Sequence, residues 1–289
     1  MVDSDSNDER ISLASARAAV GEPPLSASGH SGRPPPPAAA RRRSMKAGRF
    51  GANAGLASII GDDDRTILFE TRNRPERMIC ALRIRAAGRL FHGSGWLAGP
   101  RLVMTCGHCV FHPAMNGWAE AIEIDPGLSE DLAPFGTVSS TRFSAARQWT
   151  RDGDKAFDVG AIHLAEPLGD QLGWFAVEAA SDPRALVGRR ATISGYPLFD
   201  GVYSRQMRHD DTIAGVADGR LFYPIDTDEG QSGSPIWLGD GDVAEPVVIG
   251  IHAYEKQQTP PRLGVEANSG TPITLGVLQL IETWKQATA

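Results

Sequence analysis

The chain has 289 residues, of which 41% are hydrophobic and 22% charged, and its formal net charge is −6. That length holds one sizeable globular unit plus a tail, and the negative balance argues against general affinity for nucleic acid. No apolar run approaches the ~20 residues that span a bilayer, and three cysteines leave at least one thiol unpaired in a monomer.

Residues 1–57 differ from the rest. Met1 to Arg10 is acidic and polar, Gly21 to Ala40 is rich in Pro, Ser, Gly and Ala, and Arg41-Arg42-Arg43 follows. With few large apolar side chains, this stretch cannot bury enough surface to offset its ordering entropy. It is expected to be a disordered tail or pro-segment, with 58–289 as the folded domain. The arginine triplet reads as a solvated charge cluster, with a processing site or an anionic contact as the alternatives. No apolar segment of about 7–15 residues follows the start, so no secretory signal is legible.

From Ser58 onward short strands alternate with turns. Met78, Cys80, Leu82 and Ile84 alternate with Ile79, Ala81, Arg83 and Arg85, the period of a half-buried strand. Trp96-Leu97-Ala98, Gly99-Pro100 and Leu102-Val103-Met104 read as a hairpin. Further strands are predicted near Ala121–Asp125, Val159–Leu164, Ala191–Tyr196, Leu221–Ile225, Pro235–Leu238 and Val247–His252. Many short strands with turn signals indicate an all-β barrel or sandwich. Near the end, Ile273, Val277, Leu280, Ile281 and Trp284 share one face of a predicted helix.

Three motifs carry chemistry. Ser232 stands in Gly230-Gln231-Ser232-Gly233-Ser234-Pro235, where glycines allow a tight loop whose N–H groups can form an oxyanion hole. It is not an α/β-hydrolase elbow, because Ser234 occupies the last glycine position and a strand follows. His108 follows an apolar strand in Thr105-Cys106-Gly107-His108-Cys109. A zinc reading of Cys106, His108, Cys109 and His112 lacks the second knuckle that structural sites use. Asp158 sits at the mouth of an apolar strand, where burial is costly unless a partner such as a histidine N–H satisfies it. The order His, Asp, Ser is that of chymotrypsin. Each residue also has a bland reading: a structural histidine, a strand-capping aspartate, a Gly/Ser turn.

Taken together, these segments resemble the bacterial glutamyl endopeptidases, a branch of the trypsin-like serine proteases. Ile60 to Thr66, Gly95-Trp96-Leu97, Gly107-His108-Cys109, Asp158 to Ile162, Ile193 to Pro197, Gly230 to Pro235 and Gly270 to Thr274 carry the resemblance. It implies two six-stranded antiparallel β-barrels with the cleft between them and a C-terminal helix. It makes His108 the general base, Asp158 its orienting partner and Ser232 the nucleophile, with Gly230 and Ser232 N–H groups as the oxyanion hole. It requires no metal or organic cofactor, and implies peptide or protein substrates, a monomer and an exported enzyme.

Specificity is read two ways. The resemblance implies an acidic P1 residue held by Thr227 and His252. Spacing alone places Asp226 six residues before Ser232, where a basic P1 preference would arise, and Asp228 and Glu229 add acids beside the pocket. A non-catalytic binding module is the third reading. The resemblance also implies cleavage after Ala57, so that residues 1–57 hold the enzyme latent. It aligns Cys109 with a cysteine that in relatives can pair with one near Gly93, where none stands here, so Cys109 is expected to lack that partner.

Overall fold

Strand-forming runs punctuated by glycine turns assemble into two antiparallel sheets. A computed structural model describes residues 58–239, 245–256 and 259–287, and the backbone of two short strands, Ser4–Ser6 and Lys46–Ala47. The remainder of the expected tail, 1–57, lies outside the described residues.

The first sheet runs Ser4–Ser6, Phe143–Ala146, Gly160–His163, Leu102–Thr105, Arg89–Gly99, Ile79–Ala86, Ala121–Pro126, Val138–Ser140, with Lys46–Ala47 beside Arg89–Leu90. The second runs Gly215–Ala217, Arg220–Tyr223, Asn268–Pro272, Val247–Tyr254, Pro235–Leu238, Arg190–Gly195, Gln206–Thr212, Thr66–Leu68, with Ala176–Val177 beside Val247–Val248. Among the described residues each sheet therefore has nine strands: the expected six of four or more residues, and three shorter ones at its margins. The fold is the double β-barrel of the trypsin-like enzymes.

The half-buried pattern expected for Ile79–Ala86 is only partly realised. Ile79 and Ala81, on the face expected to be wet, are also buried, and of the eight residues only Arg85 is exposed. The strand lies between Arg89–Gly99 and Ala121–Pro126, and its other face turns to the second half of the molecule, where Tyr196 Oη reaches Ile79 O at 3.5 Å. Polar Gln206–Thr212 is a strand that hydrophobic pattern does not reveal. It is held by its ladder to Arg190–Gly195 on one side and Thr66–Leu68 on the other.

The two ends of the domain cross over. Residues 58–68 start the domain on the second sheet, through the Ser58–Thr227 bridge and the Thr66–Leu68 strand. The last helix, Leu275–Gln286, is capped by Thr274, whose hydroxyl accepts from Val277 N–H at 3.3 Å. It buries Val277, Leu280, Ile281 and Trp284 in the cluster that includes Trp96, Leu97 and Leu102 of the first barrel. Ile273 is buried just before the helix rather than on it. No helix among the described residues is long and apolar enough to cross a membrane.

Candidate active site

The Leu102–Thr105 strand ends in an extended Cys106, and one helical turn, Gly107–Val110, follows. That turn aims two donors of His108 at one carboxylate. The His108 N–H bonds Asp158 Oδ1 at 2.8 Å, and Nδ1 meets Oδ2 at 2.7 Å. Asp158 closes the 3-10 turn Lys155–Phe157 just before Gly160–His163, which pairs with Leu102–Thr105 in register Gly160 to Thr105. The sheet thus fixes both residues. Gly107 must be glycine: a Cβ there would stand 2.6 Å from Trp149 and 3.0 Å from Asp158 Oδ1.

Asp158 is fully buried and takes a third donor, Tyr254 Oη, 2.6 Å from Oδ2. Three hydrogen bonds replace the water it has lost. Burial alone would raise its pKa, but His108 and the O–H of Tyr254 hold it below the ordinary value. Burial acts to lower the pKa of His108, and the Asp158 carboxylate overrides it, so the imidazole is more basic than an ordinary histidine.

Ser232 sits on the facing loop. Gly230 and Gly233 have φ of +97° and +93°, the left-handed region that costs glycine no steric strain. A Cβ on Gly233 would run into Ser94 O and Thr105 Oγ1. Ser94, a buried residue of the first barrel, clamps this loop. Its N–H donates to Ser232 O at 2.8 Å and its hydroxyl to Gly230 O at 2.9 Å. Ser232 O is also 3.7 Å from Cys109 Sγ, so the loop rests directly on the turn that carries His108. Among the described residues, neither the Gly230 nor the Ser232 N–H has a hydrogen-bond partner.

Beside this loop lie Thr227 and His252. Gly233 N–H donates to His252 O at 2.8 Å, which ties the histidine to the loop. Tyr223 Oη meets His252 Nδ1 at 2.8 Å. Burial, and then the charge of His108, push His252 down to about 3, so it is neutral at working pH. Thr227 Oγ1 is buried with no partner among the described residues.

Asp226 is held inside the second barrel. It is 1% exposed, and its carboxylate accepts from Ile60 N–H at 2.7 Å and Asp64 N–H at 3.0 Å. It anchors the first residues of the domain. The neighbouring acids are engaged too. Asp228 accepts from Glu229 N–H at 2.7 Å and lies 3.9 Å from Arg65. Glu229 accepts from Tyr203 Oη at 2.9 Å.

All three cysteines are free and buried. A Cβ on Gly93 would stand 2.9 Å from Cys109 Sγ, so Gly93 does sit opposite Cys109. The donor atoms of Cys106, His108 and Cys109 lie within 4.8 Å of one another. His112, the fourth residue of the zinc reading, instead accepts from Ala114 N–H at 3.0 Å and stacks on Trp149.

The structure thus joins His108 to Asp158 directly and brings the Ser232 loop against them. Three contributors carry no local sequence signal: Ser94, Tyr254 and the anchoring role of Asp226.

Two barrels meeting at a His–Asp pair and a Gly-flanked serine loop define a trypsin-like peptidase. The trypsin-like peptidase domain family matches residues 93–250. A glutamyl endopeptidase of Bacillus licheniformis is 33% identical over 235 residues, 80% of this chain and 70% of that one. An extracellular metalloprotease of Bacillus subtilis is 31% identical over 79% of this chain and 70% of its own. A solved Glu endopeptidase in complex with MPD superposes with a TM-score of 0.68 at 24% identity, covering 79% of this chain and 99% of that one. The chain belongs to the trypsin-like serine proteases, in the family of the bacterial glutamyl endopeptidases.

Proposed function

We propose that this protein is a serine endopeptidase that cleaves after acidic residues, with His108, Asp158 and Ser232 as its triad. One observation carries the reading. A buried carboxylate takes both donors of His108, while the N–H groups of Gly230 and Ser232 on the facing loop stay unengaged among the described residues.

Asp158 fixes His108 with Nδ1 protonated, which leaves Nε2 to take the Ser232 proton as Oγ attacks the scissile carbonyl. The oxyanion forms against the Gly230 and Ser232 N–H groups, which are already oriented by the glycine backbone and the Ser94 clamp. His108 then protonates the leaving amine, and water repeats the sequence on the acyl-enzyme. None of these steps uses a metal.

Thr227 and His252 are the proposed P1 contacts. The Thr227 hydroxyl can donate to a substrate carboxylate, and neutral His252 can donate one ring N–H while the other nitrogen accepts from Tyr223. Asp226 gives no support to the basic alternative, because its carboxylate is already bound by two amides. Ser58, at the proposed cleavage point, is buried and bridged to Thr227. We take cleavage after Ala57 by a processing protease as the activating step of an exported, monomeric enzyme.

The test is kcat/KM on matched peptides with Glu, Gln or Arg at P1, using protein that begins at Ser58, with Ser232→Ala as control. Turnover of P1-Glu well above P1-Gln and P1-Arg is expected, with fluorophosphonate labelling of Ser232. Preference for P1-Arg would overturn the acidic pocket. An unlabelled Ser232 would overturn the triad in favour of a binding module. Equal activity of the full chain and the chain from Ser58 would overturn latency.

A further inference from the structure

The third donor to Asp158 comes from an unexpected place. Tyr254 ends the long strand Val247–Tyr254, two residues beyond His252. In a regular strand these two side chains would share one face. The ladder to Asn268–Pro272 instead shifts register between them: His252 pairs with Gly270 and Tyr254 with Ser269. A shift of this kind re-aims a side chain. Here His252 meets Tyr223 on one side, while Tyr254 reaches across the barrel boundary to Asp158.

The phenol is held from both ends. Lys155 Nζ lies 5.3 Å from its ring centroid and Arg220 Cζ 5.5 Å, distances at which a cation is attracted to the ring face. Its centroid is 6.1 Å from that of His108. At the oxygen end, Asp158 Oδ2 receives Tyr254 Oη and His108 Nδ1 together, while Oδ1 takes the His108 N–H.

We propose that Tyr254 is a positioning residue for hydrolysis: its O–H fixes the Asp158 carboxylate from the second barrel, so that the acid which orients His108 is locked by both halves of the molecule. This rests on the triad reading above. Burial and the neighbouring carboxylate raise the phenol's pKa, so it remains a donor throughout the working range. A carboxylate that shares its charge with two donors attracts the His108 proton less than one serving His108 alone. Removing the phenol oxygen therefore has two effects. The carboxylate gains freedom to rotate, and His108 becomes more basic. Cys106, Cys109, His112, Lys155, Arg220 and His252 are the other titratable groups around the pair, and the substitution changes none of them.

The experiment compares wild type with Tyr254→Phe, which keeps the ring beside Lys155 and Arg220. In the variant kcat is expected to fall about tenfold, on the scale of one charge-assisted hydrogen bond, with little change in KM. The acid limb of the pH–rate profile and the NMR titration of His108 should both move up by about half a unit. The thermal midpoint checks that the variant is folded. An unchanged kcat, or an unchanged His108 titration, overturns the proposal. The two readings fail separately. Absent fluorophosphonate labelling of wild-type Ser232 would defeat the triad, while the titration of His108 decides Tyr254 without any need for turnover.

Discussion

The two barrels bring opposite kinds of polar group to the cleft. The first contributes Asp158, buried and fully bonded, with His108 held at two atoms. The second contributes groups that are buried or half-buried and unbonded among the described residues: the N–H groups of Gly230 and Ser232 and the hydroxyl of Thr227. Buried polar groups are normally satisfied, so the contrast separates two tasks. The bonded side draws its geometry from contacts within the protein. On the proposed reading, the unbonded side is completed by the oxyanion and acidic side chain of a substrate.

The sharpest way to break this contrast is on the bonded side. Asp158→Asn turns an acceptor pair into an amide and lets His108 take the wrong tautomer. The expected loss is about 10⁴-fold in kcat with the fold intact, read by steady-state kinetics and circular dichroism. On the unbonded side, Thr227→Val should lower kcat/KM for P1-Glu peptides by about 10–100-fold, the scale of one donor lost to a buried charge. It should leave P1-Ala peptides nearly unaffected, and an equal loss on both would show that Thr227 does not read the side chain.

Ser94→Ala tests the joint between the sides. It removes the hydroxyl that donates to Gly230 O and accepts from Tyr196 N–H. About a tenfold fall in kcat and a loss of ~1–3 kcal/mol in denaturant unfolding are expected. Asp226→Ala should cost on the order of 2–4 kcal/mol, since two amides lose their acceptor, while the ratio of P1-Glu to P1-Arg turnover stays as it was. The pH profile gives the smallest and most diagnostic effect. Because His108 must be neutral to act and its pKa is raised above the ordinary 6.5, activity should increase with pH along a limb centred above that value. His252, at about 3, should add no second limb in the neutral range.

Much of the bonded side was legible in the sequence. An acid before an apolar strand, and a histidine after one, each create a local problem that the other solves. The serine loop announced itself through glycines that its φ values require. What stayed hidden acts over long separations without any local pattern. Ser94 reaches Gly230 across 136 residues, and Tyr254 reaches Asp158 across 96. Asp226 could be numbered but not oriented, because spacing from Ser232 says nothing about which backbone amides will claim its oxygens. Gln206–Thr212 was missed for a related reason. Its ladder bonds, not its side chains, make it a strand.

The crossing of the chain ends has a consequence for timing. The first barrel shares its core with a helix at 275–286, and the second includes a strand at 66–68. On a ribosome, the strands of the first barrel emerge before Ser232 and His252, and the helix that completes their core emerges after both. A complete cleft therefore cannot form before residues 275–286 have emerged, so this geometry ties assembly of the site to the far end of the folded domain.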